Sequence, residues 1–188
     1  MLTDAEFDEA RRRMMSAWSK GDLGDASAAL DIVLSEGSAE MKGECLFYHG
    51  MISEHQGALS EARQRWSDAI QYVREGSFLR FQLELSLGRS WEREAHFEDA
   101  LAWFRKALET CCQGDEFAGT SALTGYLRLK EGKIEPLDEP IIACVAEKSW
   151  RVLELAGTPD PTDWTTTAAK LAEEFESRAQ NIVDHSEQ

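Results

Sequence analysis

The sequence predicts an all-α fold assembled from repeated helical hairpins, and three observations predict it. Apolar residues recur at three- and four-residue spacing in one segment after another. Short glycine-bearing stops divide those segments: Lys20-Gly21-Asp22, Glu36-Gly37-Ser38, Gln56-Gly57 and Glu75-Gly76-Ser77. The pattern also matches itself. Ala26, Ala62 and Ala100 fall at corresponding points, 36 and 38 residues apart. So do Gly21, Gly57 and Ala95; Leu30, Trp66 and Phe104; and Val33, Ala69 and Ala107. Small residues at fixed points let two helices approach closely, and a large one four residues later fills the gap beside it. A period in this range marks a helical solenoid.

Taken in order, Thr3 or Asp4 caps a first helix that carries Phe7, Ala10, Met14, Ala17 and Trp18 on one face. A second helix is expected from about Asp25 through Leu34, with Gly37 placed for a left-handed cap. The third is expected over 39–55 and the fourth over 59–74. The fifth and sixth lie in Phe81–Cys112 and join at Ala95-His96. After Gly114 the character changes, for all four prolines (Pro136, Pro140, Pro159, Pro161) lie beyond it. Three more helices are expected there, over about 116–130, 140–156 and 164–183, with Pro140 in a first turn and Gly157 as a C-terminal cap. The division is therefore 1–114 for three hairpins and 115–188 for a helical cap that covers the last apolar face and frays after 184.

Composition narrows the function. At 188 residues and 43% hydrophobic, the chain can bury a sizeable core. Its formal charge of −15 argues against DNA, RNA or an anionic membrane surface, all of which call for clustered Lys and Arg. The same charge suits a basic protein partner. Four cysteines without a C-x-x-C read as reduced intracellular thiols. The charged N-terminus has no apolar core of a signal peptide, and no window reaches the ~18 apolar residues that span a membrane. A cytoplasmic location is expected.

No catalytic motif emerges. The histidines (His49, His55, His96, His185) form no H-E-x-x-H, and Cys and His pairs lack metal spacing. Cys45 and His49, one helical turn apart, read as packed side chains, with half a metal site as the alternative. Cys111-Cys112 reads as a packed and an exposed thiol, with a redox pair as the alternative. No catalytic residue, cofactor or metal is expected.

The stretch Phe81–Cys112, with Leu87-Gly88, Trp91, Ala100, Phe104 and Ala107, resembles the tetratricopeptide repeat family. Gly50, Gly57, Ala62, Trp66 and Ala69 extend the resemblance upstream, and Met14 stands where the first hairpin would have glycine. The closing proline of the family is absent from all three hairpins. The resemblance implies a right-handed superhelix of three helix pairs, followed by three capping helices. It also implies a concave groove lined by the first helix of each pair. Carried over, the groove set is Arg11, Met15, Trp18, Phe47, Met51, Glu54, His55, Leu85, Arg89, Glu92 and Arg93, with Asp8, Ser19, Glu44 and Gln82 beside them. Trp18 and Phe47 suit core as well as groove. The Lys and Asn set with which some members clamp chaperone tails is replaced here by Met15 and Ser86. The implied role is a non-enzymatic adaptor for a protein or peptide, acting as a monomer or weak homodimer. A small acidic bacterial chaperone is one form, and an immunity protein that masks a toxin is another. From a different class comes a hidden ligand or active site where the repeats meet residues 116–183.

Overall fold

The computed structural model describes residues 2–114, 119–131, 133–152, 167, 168 and 170–172. Those residues are helical or in turns, with no strand among them, and they fall into two compact units, 1–74 and 75–188. The packing thus divides the chain at Arg74–Glu75, whereas composition changes at Gly114.

The first unit holds α1 (Asp4–Ser19), α2 (Leu23–Ala28), α3 (Asp31–Glu36), α4 (Ala39–His55) and α5 (Leu59–Ile70). Its core joins Phe7, Met14, Leu30, Val33, Cys45 and Ile52. The single helix expected over 25–34 is two helices broken at Ala29–Leu30. There the Leu30 amide donates to the Ser27 carbonyl three residues back, which tightens the turn. The Cys45 thiol donates to the Leu30 carbonyl at 3.3 Å and fixes the break against α4. Gly37 is not left-handed either: its φ is −69° and ψ 159°, an extended link straight into Ser38. A Cβ there would stand 2.6 Å from the Val33 carbonyl oxygen, so close approach requires glycine.

The second unit holds α6 (Phe78–Arg93), α7 (Phe97–Gln113), α8 (Thr120–Leu129) and α9 (Glu139–Val152). Its core unites Phe81, Leu85, Phe104, Leu108, Leu123, Tyr126, Ile142 and Val145, with Ala168, Leu171 and Ala172 of the expected last helix packed in. The rest of that helix and the Gly157 cap lie outside the described residues, as do 115–118 ahead of α8. Two polar networks cross this core. Glu84, 2% exposed, accepts from Arg80 Nε at 2.6 Å and from Thr110 Oγ1 at 2.6 Å. Asp138 accepts from Arg105 Nε at 2.9 Å and from the Tyr126 hydroxyl, which burial first and this carboxylate second hold well above the usual phenol range. Lys148 on α9 donates to the carbonyls of Cys111 at 2.8 Å, Cys112 at 2.9 Å and Gly114, so an ammonium caps the negative end of α7.

Local geometry recurs three times. Thr3, Ser38 and Ser77 each begin a helix by accepting an amide from the residue three positions on. That helix ends on a residue with positive φ, namely Gly21 at 75°, Gly57 at 79° and Ala95 at 60°. The next residue donates back to the carbonyl five positions earlier: Asp22 to Ala17, Ala58 to Ser53 and His96 to Trp91. Across two of the hairpins a glycine faces an aromatic ring. A Cβ on Gly50 would lie 2.2 Å from Trp66 Nε1, and one on Gly88 would lie 2.6 Å from Phe104 Cδ1. The first hairpin has Met14 and Leu30 at the same sixteen-residue separation, both fully buried in one core.

Candidate functional site

The first unit brings together the side chains that sequence places on α1 and α4. Arg11 bridges the two helices, 2.8 Å from Asp8 and 3.3 Å from Glu44, and the Glu44 carboxylate raises its already high pKa. The Tyr48 hydroxyl donates to the same Glu44 oxygen at 3.2 Å; burial, then that carboxylate, keep it protonated above the usual range. One turn along, Met15 is 55% exposed. At the far end the half-buried Trp18 indole meets the His55 imidazole with centroids 5.6 Å apart. Phe47 is half-buried beside Tyr48, and its carbonyl accepts from Trp66 Nε1 at 3.2 Å. Met51 and Glu54 are half-buried on α4. Arg11–Glu44 and Trp18–His55 thus join α1 to α4, with Met15 exposed on the first helix and Met51 half-buried on the second.

On α6, in the second unit, Leu85 departs from expectation. It is 3% exposed and belongs to the core, because Ala100, Phe104 and Tyr126 draw that side of the helix inward. It presents no surface to a partner. Arg89 and Arg93 are exposed, and Glu92 is held by Arg128 Nη2 of α8 at 2.7 and 2.9 Å.

A second feature of the first unit was not legible as a set. An open cleft of about 430 Å³ lies among α2, α3, α4 and α5. His49 stands at it, 6% exposed, with Nδ1 3.2 Å from Ser27 Oγ and Nε2 3.9 Å from Asp31 Oδ1. Burial, then Arg65, lower its pKa, against smaller opposing effects of Asp31 and Glu61. In the sequence only His49 drew notice, through its spacing from Cys45; Asp31 reaches the cleft because of the break before it.

Burial holds three of the thiols protonated. Burial pushes Cys45 up to about 12 and Cys111 up to about 11. Cys112 is raised as well, by burial and by its hydrogen bond with Cys144. Among the described residues, no group of three His, Cys, Asp or Glu side chains is placed to hold a metal ion, and no helix is long and apolar enough to cross a membrane.

No family model, curated protein or solved structure matches this chain.

Proposed function

We propose that the chain is a tetratricopeptide-like, non-enzymatic adaptor that binds a protein segment on the α1–α4 face. The observation that carries this reading is what the two joined helices carry: exposed Met15 and half-buried Trp18 and Met51, with Arg11 paired to Glu44 and His55 against Trp18. Methionine adapts to irregular partners, and Trp and Arg recur at binding hot spots. The recurrence of cap, turn and close helix contact in three hairpins supports the family resemblance. The formal charge of −15 favours a basic partner. A chaperone for a bacterial secreted protein is one role, and an immunity protein is the other.

Capture from lysate of the native host tests this, with the parent compared to Met15→Glu and Met51→Glu. One partner lost in both variants is the expected result. A partner kept by both removes the α1–α4 face from binding. Titration of the identified partner then separates the roles: a chaperone binds it unfolded, whereas an immunity protein binds the folded enzyme and blocks its activity.

A further inference from the structure

The cleft beside His49 has a defined chemistry. Leu23 on α2 and Leu34 on α3, both half-buried, line it with apolar surface. Three charged side chains also line it: Asp31, Glu61 and Arg65. The Arg65 guanidinium is 3.3 Å from Glu61, so these two largely cancel. Asp31 faces His49 Nε2 instead, across 3.9 Å, which is too far for a hydrogen bond. That nitrogen is buried without a hydrogen-bond partner. Because burial keeps the imidazole neutral, the Asp31 charge is not balanced from across the cleft. An anion would meet a net negative lining on a strongly acidic chain.

We infer that the cleft is a binding site for a cationic alkyl group, an aliphatic stem ending in an ammonium or guanidinium. The cationic head pairs with Asp31 while the methylenes lie along Leu23 and Leu34, as long basic side chains do on apolar surfaces. The helix break at Ala29–Leu30 creates the site by starting α3 at Asp31. The cation comes either from a lysine or arginine side chain of a protein or from a free amine. This inference does not depend on the α1–α4 face.

The test is a titration of the full chain with n-butylammonium, followed by amide ¹⁵N–¹H spectra at constant ionic strength, with butyrate as the control of equal stem and opposite charge. Saturable shifts at Ser27, His49 and Ile52 with the amine alone are expected, with affinity reduced about two- to fivefold in Asp31→Asn. Asp31 is largely exposed, so that variant should keep the parent spectrum elsewhere. Equal binding of butyrate, an unchanged affinity in Asp31→Asn, or unsaturable shifts scattered over the acidic surface would each overturn the site. Nα-acetyl-lysine amide and cadaverine distinguish the sources: binding of the first supports a protein side chain, binding of cadaverine alone supports a free diamine, and binding of neither overturns the inference.

Discussion

The missing side chain at Gly88 sets how closely α6 and α7 approach. A Cβ there would fall 2.6 Å from Phe104, and a Cβ on Gly125 would fall 2.8 Å from the same ring, so Phe104 lies close against the backbone of both α6 and α8. Gly88→Leu should therefore cost on the order of 1–3 kcal/mol by overpacking, read as a lowered denaturant midpoint. A parent-like midpoint would show that the two helices can part freely. His49 makes a pH prediction. Its folded pKa lies below the ordinary 6.5. Above that pH the ring is neutral in both states; as pH falls through it, the unfolded chain takes the proton first, and stability drops until the folded ring is protonated too. His49→Gln should flatten stability between about pH 7 and 5, where most carboxylates are still ionised. If its profile parallels the parent's, the buried ring is not the acid-sensitive group. At this scale the sequence marks Gly88 and the buried His49 correctly, because both follow from helical register. It misplaces Leu85, since a groove position inherited from a family pattern does not register that α8 covers α6 here.

Helix ends obey local rules, and some were legible while others were not. Thr3 was legible as a cap and Gly21 and Gly57 as turns, where glycine freely adopts the positive φ; Ser38 and Ser77, read only as parts of stops, also begin the helices that follow them. Ala95 adopts the same turn at φ 60° against steric preference. Ala95→Gly should relieve that strain and raise stability by roughly 0.5–1 kcal/mol after the entropy of the unfolded chain is counted, seen as a higher Tm. A lower Tm would mean that the alanine methyl makes a compensating contact. The break at Ala29–Leu30 was not legible. Alanine and leucine are strong helix formers, so local propensity gave no warning. The cause is tertiary: the buried Leu30 side chain and the Cys45 thiol on its carbonyl hold the turn. The cleft was hidden for the same reason, as its Asp31 wall exists only once that helix is interrupted.

The whole chain carries a formal charge of −15, and like charges repel more strongly in a compact state than in an open one. Sodium chloride shortens the Debye length from about 30 Å at 0.01 M to about 10 Å at 0.1 M. Over that range Tm should rise. A fall would show that favourable pairs such as Arg105–Asp138 outweigh the general repulsion. All-α architecture was legible at this scale because periodicity is a property of every segment. The division at Arg74–Glu75 was not, since composition shifts forty residues later while packing joins α7 to α8 and α9. The paired positions of the hairpins have a consequence for heredity. Glycine with tryptophan, glycine with phenylalanine and methionine with leucine are three solutions to one volume problem. Neither member can drift without its mate, so the two positions should be inherited as a couple. Gly50→Met alone should be severely destabilising, and adding Trp66→Leu should recover part of the loss, a coupling that a double-mutant cycle would measure directly. Strict additivity would mean that each position evolves on its own.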